Sequence, residues 1–236
     1  MFARLAADLA RDHRVLVPDF RAHGRSAVPG KQWQIADLSD DLVKLLDQVK
    51  VNRVTLLGFS MGGMAAVDFA LRHPDRLEAL ALVGTSAGSE DLLRAAEIRT
   101  LARVIQVAGP PPFLAREAAR STFSSAFRKA DPGAVTRWES AIRSMAGLAL
   151  IQALRAVASR PSHLDSLEQI GVPTVIVTGS RDRIVKPHWA TAMQRRLRRS
   201  RLITYPGVGH AVPIERPDEL AAVVRDLRSG ASGKVN

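Results

Sequence analysis

Apolar positions recur along the chain with two periods, and the two periods alternate. Residues 3–11 (ARLAADLAR) space their apolar side chains as a helix does. Residues 14–18 (RVLVP) form a short β-branched run ending at Pro18, which predicts a strand. Over residues 35–49, Ile35, Leu38, Leu42, Leu45, Leu46 and Val49 fall on one helical face. Residues 53–58 (RVTLLG) predict a buried strand bounded by Asn52 and Gly58. A helix over residues 61–72 then stops at His73-Pro74. Residues 78–83 (EALALV) predict a further strand, stopped by Gly84.

After residue 84 the alternation breaks. Residues 86–160 hold several helical patterns and no convincing strand, with turns predicted at Gly109-Pro110-Pro111-Pro112 and at Asp131-Pro132-Gly133. Alternation resumes with a strand over 173–179 (PTVIVTG), a helix over 188–198, a strand over 201–205 (RLITY) and a helix over 217–228. The tail, Ser229–Asn236, is polar and glycine-containing, and is expected to fray. Strand and helix in alternation imply an α/β fold with a mostly parallel central sheet flanked by helices. Residues 1–85 and 161–236 then form the core. Residues 86–160 form a helical lid inserted over the carboxyl ends of the strands, where ligands bind in such sheets.

Composition narrows the chemistry. The 236 residues fit one domain, or one domain with an insertion. There is no cysteine, which excludes disulfides, thiolate metal sites and a cysteine nucleophile. No apolar run approaches the length of a membrane-spanning helix, and no N-terminal leader pattern is seen, so a cytoplasmic setting without a membrane partner is expected. The formal net charge is +11, and only six of the 34 basic residues are lysines. The densest basic cluster is Arg195, Arg196, Arg198, Arg199 and Arg201. It reads as a solvated helix end, because little aromatic interleaving and no nucleic-acid-binding motif accompany it. No nucleic-acid partner is expected.

The sequence Gly58-Phe59-Ser60-Met61-Gly62-Gly63 places a Gly-x-Ser-x-Gly pattern between a predicted strand and a predicted helix. A nucleophilic hydroxyl at Ser60 would project from a tight, strained turn. Glycines two residues before and two after leave room for neighbouring backbone. The helix that follows would aim the amide of Met61 at the position where an oxyanion forms. A serine needs a base, and the base needs an orienting acid. In this design the chain order is serine, acid, histidine. Asp182 follows the strand over 173–179, and His210 follows the strand over 201–205. All three therefore fall at one edge of the sheet.

At this point the chain resembles α/β-hydrolase-fold proteins, from near residue 1 to about residue 228. Pro18-Asp19-Phe20-Arg21-Ala22-His23-Gly24-Arg25-Ser26 is similar to the family's Pro-Asp-x-Arg-Gly-x-Gly-x-Ser segment, with Ala22 in place of one glycine. Gly58–Gly63 resembles the nucleophile elbow, Val172–Asp182 the acid loop, and Gly209-His210 with Glu215-Arg216-Pro217 the histidine loop. The resemblance implies Ser60 as nucleophile, His210 as general base and acid, Asp182 as its orienter, and the Met61 amide in the oxyanion hole. It implies hydrolysis of a carboxylic ester, lactone or related acyl bond in a small molecule, with no cofactor. A serine at the elbow points away from the aspartate-nucleophile branches. The elbow does not separate carboxylesterases, enol-lactonases and cofactor-free haloperoxidases. The alternative is a catalytically silent protein of the same fold that binds a ligand.

Other residues have plainer readings. His23 is read as structural and His188 as surface or packing; His13, His73 and His163 have no motif around them. No two histidines show metal-ligand spacing with a carboxylate, so no metal site is expected. Asp165 precedes its strand rather than following it, which disfavours it against Asp182. Phe113, Phe123, Phe127, Trp138 and Met145 either line an acyl pocket or pack the lid's own helices.

One expected part is missing. Family members present a strand and a His-Gly loop before the first helix seen here, and that loop gives the second oxyanion amide. In this fold that strand lies between the strands over 14–18 and 53–58. Those two strands must then pair directly, or a gap exposes unpaired backbone. The sequence is therefore expected to be N-terminally truncated, through a misassigned start or a shortened gene.

Overall fold

The computed structural model describes residues 1–228; the tail expected to fray lies outside the described residues. Among them, four parallel strands form one sheet in the order β1 (Val54–Phe59), β2 (Leu77–Val83), β3 (Thr174–Gly179) and β4 (Ser200–Tyr205). The helices are α1 (Ala3–Leu9), α2 (Ile35–Gln48), α3 (Met61–Arg72), α4 (Leu92–Ala108), α5 (Leu114–Thr122), α6 (Ser125–Ala130), α7 (Pro132–Arg143), α8 (Gly147–Ser159), α9 (His188–Gln194), α10 (Val212–Glu215) and α11 (Pro217–Arg228).

Side chains alternate across a strand, so the central strand β2 feeds two separate cores. Leu80 and Leu82 pack with Phe69 of α3, Leu46 of α2, Ile176 of β3 and Met193 of α9. Ala79, Ala81 and Val83 face the other way, onto Leu5 and Leu9 of α1 and Leu220 and Val224 of α11. β2 and β3 are buried almost throughout, as strands covered on both faces must be.

Two strand expectations change. Residues 14–18 form no strand. Val17 is 53% exposed and Leu16 38% exposed. β1 is half-buried at five of its six positions, where a buried strand was expected. The reason is shared. β1 is an edge of the sheet and bonds only β2. The β-branched run has the propensity for a strand, but a strand exists only through a neighbour to pair with. Of the two arrangements open to these segments, the structure has the gap.

Asp131-Pro132-Gly133 is a helix start rather than a turn. Asp131 caps α7 by accepting from the Ala134 amide at 2.8 Å, and Pro132 occupies the first helical position. α9 also ends earlier than expected, at Gln194.

The helical block α4–α8 leaves the sheet after β2 and returns before β3. Its stems are joined by the ion pair of buried Arg160 with Glu90 at 2.8 Å. Buried Gln152 of α8 ties it to the segment before α2. The Gln152 amide donates to the carbonyls of Pro29 (2.8 Å) and Lys31 (3.1 Å), and its oxygen accepts from the Trp33 indole (3.2 Å). No single helix among the described residues is long and apolar enough to cross a membrane.

Candidate active site

β1 ends at Phe59 and α3 begins at Met61, so Ser60 alone makes the turn. Its backbone is forced to φ 52°, ψ −121°, a conformation that non-glycine residues rarely adopt. The strain is held by hydrogen bonds. The Ser60 amide donates to Val83 O at 2.9 Å, and its carbonyl accepts from Gly63 N (2.8 Å) and Thr85 Oγ1 (2.8 Å).

The crowding around this turn falls on particular glycines. A Cβ at Gly58 would sit 2.5 Å from Gly62 O, and one at Gly63 would sit 2.5 Å from Thr85 Cβ. A Cβ at Gly62 would meet only the Phe20 ring, at 3.4 Å. The second sterically required glycine is therefore Gly63, not Gly62 as the pentapeptide suggests. Thr85, two residues past the end of β2, causes the difference.

The structure brings Ser60, Asp182 and His210 together. His210 Nε2 lies 3.0 Å from Ser60 Oγ, and His210 Nδ1 lies 2.7 Å from Asp182 Oδ2. Asp182 Oδ1 accepts from the amides of Ile184 (2.8 Å) and Val185 (2.9 Å), which fixes the carboxylate plane. An ionised carboxylate only accepts, so Nδ1 carries the proton and Nε2 is free to accept from the Ser60 hydroxyl. His210 and Asp182 are both buried, at 4% and 5% exposure. The Phe59 ring packs 4.9 Å from the imidazole, and Phe2 packs edge-on to Phe59.

Glycines also set the imidazole's place. Gly84 has φ 51°, and a Cβ there would lie 3.2 Å from His210 Nδ1. A Cβ at Gly179 would lie 2.1 Å from Gly209 O, so the acid and histidine loops touch backbone to backbone. Met61 opens α3, and a first-turn amide has no carbonyl within its own helix to bond.

The remaining candidates lie elsewhere. The His23 ring contacts Arg21 O at 3.0 Å and packs edge-on to Trp33, a structural placement. His188 packs against Trp189. Asp165 is on the surface, paired with Arg196. Arg198 pairs with Glu168 at 3.1 Å and Arg201 with Asp226 at 2.6 Å, so much of the basic cluster is neutralised locally. Phe123 is buried between Phe127 and Trp138, in a cluster with Ala211 and Ile214; Phe113 is 65% exposed. No cluster of three or more His, Asp or Glu among the described residues is arranged to hold a metal ion. A cavity of about 70 Å³ bounded by Met64, Asp68, Ser86, Arg160 and His163 lies at the stems of the helical block and is not lined by Ser60 or His210.

Sequence reasoning missed Glu215 as a buried group. Its carboxylate accepts from Ser124 N, Ser124 Oγ and Gly209 N, and the last of these precedes His210. The only sequence signal was its place in the Glu215-Arg216-Pro217 segment.

Comparison with known proteins agrees with this architecture. The family model of the α/β hydrolase fold matches residues 1–217, and the chain belongs to that family. A thermophilic esterase from Thermogutta terrifontis is 28% identical, with a TM-score of 0.90 over 95% of this chain and 83% of its own. The enol-lactonase from Burkholderia xenovorans LB400 is 25% identical, with a TM-score of 0.88 over 97% of this chain and 85% of its own. A pimeloyl-[acyl-carrier protein] methyl ester esterase from Neisseria meningitidis is 25% identical over 98% of this chain and 88% of its own. These relatives are hydrolases, and the chain is of the hydrolase type.

Proposed function

We propose that this α/β-hydrolase-fold chain cleaves a carboxylic ester, lactone or related acyl bond in a small molecule through an acyl-enzyme. The observation that carries the reading is the relay Ser60 Oγ, His210 Nε2 and Nδ1, Asp182 Oδ2, with contacts of 3.0 and 2.7 Å. The Ser60 proton moves to His210 Nε2 as Oγ attacks the carbonyl carbon. Asp182 holds the imidazole in the accepting tautomer and stabilises the imidazolium. The negative oxygen of the tetrahedral intermediate is met by the Met61 amide. Collapse expels the alcohol, which takes the proton from His210. Water, deprotonated by His210, then attacks the acyl-Ser60 ester and releases the acid. No step calls for a cofactor. The named activities of the esterase, lactonase and methyl ester esterase relatives support acyl chemistry.

In this reading residues 86–160 act as a lid over a core made of residues 1–85 and 161–236, and the protein works in the cytoplasm. The lid segment around Phe123 rests on the histidine loop, which supports its place above the site. A panel of short-chain aryl esters tests the proposal. Turnover that disappears in Ser60→Ala is expected. A panel with no Ser60-dependent turnover overturns it.

A second reading is a silent ligand-binding protein. It is favoured by the oxyanion position having one identified donor, Met61. Loss of a donor costs about 10²–10³ in rate, which weakens an enzyme without abolishing it. Slow, Ser60-dependent turnover therefore separates the first reading from the second.

A further inference from the structure

The backbone of His210 is held by the helical block more than by the sheet. His210 N and Ala211 N both donate to Thr122 O, at 2.8 and 3.1 Å. Thr122 ends α5, and Ser124 caps α6 by accepting from Phe127 N at 3.1 Å. Beside them, the buried Glu215 carboxylate spans the two segments. Oε1 accepts from Ser124 N (3.0 Å) and Gly209 N (3.1 Å), and Oε2 accepts from Ser124 Oγ (2.5 Å). All three donors are neutral, and Arg216 NH1 donates to the Glu215 backbone carbonyl rather than to this carboxylate. A buried carboxylate is costly unless hydrogen-bonded, so the three donors are held to it firmly. There is no slack at the junction. A Cβ on Gly209 would lie 2.6 Å from Ser124 N and 2.7 Å from Glu215 Oε1.

We infer that Glu215 is a positioning residue for His210. It locks residues 122–124 of the helical block to the loop that carries the imidazole. The inference rests on the reading of His210 as the base. The imidazole must meet Ser60 Oγ and Asp182 Oδ2 together, so a small shift of Gly209-His210 breaks one contact or the other. Truncating Glu215 strands the amides of Ser124 and Gly209 in a buried place, and the loop must move to hydrate them. Glutamine, by contrast, keeps one oxygen for the two amides and offers its NH₂ to Ser124 Oγ.

The test compares wild type, Glu215→Gln, Glu215→Ala and Ser124→Ala in p-nitrophenyl butyrate turnover, thermal melting and proton NMR of the His210 Nδ1–H. A positioning loss of a fraction of an ångström to 1 Å corresponds to a fall in kcat of about tenfold to 10²-fold for Glu215→Ala, with KM changed less than about twofold. Glu215→Gln should keep kcat within about threefold of wild type and retain the Nδ1–H resonance. Ser124→Ala should fall in the same direction as Glu215→Ala, by less. A role in stability alone would lower the melting temperature and leave kcat and the resonance unchanged, and that result in folded Glu215→Ala overturns the inference. If Glu215→Ala does not fold, Ser124→Ala decides in the same terms. If wild type turns over no ester, the acyl-transfer reading fails separately. The resonance still decides: its loss in folded Glu215→Ala supports positioning, and its retention refutes it.

Discussion

The elbow offers a sharp contrast between two adjacent glycines. The pentapeptide pattern makes Gly62 the required residue, whereas the packing makes it Gly63. In Gly63→Ala the new methyl would lie 2.5 Å from the Cβ, Cγ2 and Oγ1 of Thr85. Cβ is fixed to the backbone, so rotating the threonine side chain does not relieve the clash. Overpacking of this kind costs about 1–3 kcal/mol. Thr85 must also move, which weakens its 2.8 Å hydrogen bond to Ser60 O. That bond is worth about 1 kcal/mol, and it helps hold the strained φ of 52°. The sum is about 2–4 kcal/mol, which the helical preference for alanine at this α3 position reduces to about 1–3 kcal/mol of lost stability. For a chain of this length it lowers the melting temperature by roughly 2–12 °C. In Gly62→Ala the methyl meets the edge of the Phe20 ring at 3.4 Å, which yields by a few tenths of an ångström. The helical preference for alanine offsets that contact, by up to about 1 kcal/mol. The net change is therefore within about 1 kcal/mol of zero. Thermal melts and urea titrations of the two variants read the difference directly, with the three tryptophans as the fluorescent probe. Equal destabilisation of the two variants, or a larger loss in Gly62→Ala, would refute the steric reasoning.

Two further outcomes follow from the relay and from the charged seam between α1 and α11. Asp182→Asn presents an NH₂ to His210 Nδ1, so the proton moves to Nε2, which can no longer accept from Ser60; kcat/KM should fall by about 10⁴-fold, and a loss under tenfold in ester kinetics would contradict the role given to Asp182. The Asp12 carboxyl is held well below the ordinary range, chiefly by its hydrogen bonds from Arg225. A lowered folded pKa gives stability that is complete above the unfolded value of about 3.9 and is lost as the pH falls through the folded value. Acid should therefore loosen α1 from α11 ahead of the sheet. The protection factors of the amides across Ala6–His13, taken against the intrinsic exchange rate at each pH, should fall at low salt below pH about 4, and Arg225→Met should remove that pH dependence. Because the pair is solvent-exposed, the effect should be small and should fade in high salt.

What the sequence revealed of this molecule follows the range of the interactions involved. The elbow was legible because it is local: a strand, one strained residue and a helix are written in consecutive positions. Asp182 and His210 were legible because each lies in the loop after a strand, and parallel strands put those loops on one edge. Asp131-Pro132-Gly133 was misread although its signal was local, since Asp before Pro suits a helix cap as well as a turn. The run over 14–18 was misread for a non-local reason: its propensity was correct, but among the described residues no strand lies beside it to pair with. The same gap explains why β1, as apolar as β3, is only half-buried. The crowding of Gly63 against Thr85, across 22 residues of chain, was invisible for that reason as well.

Glu215 is the extreme case. As a charged residue two positions before the helix predicted over 217–228, it carries no local sign of burial, and few glutamates are buried without a cationic partner. Its partners, Ser124 and Gly209, come from the helical block and the histidine loop, 91 and six residues away. Only the fold brings them within 3.1 Å of one carboxylate. The serine and its relay can thus be read from motifs, while what holds the imidazole in register depends on how the helical block settles on the sheet. Substitutions in residues 122–124 should then alter the rate of the chemistry itself as well as access to the site.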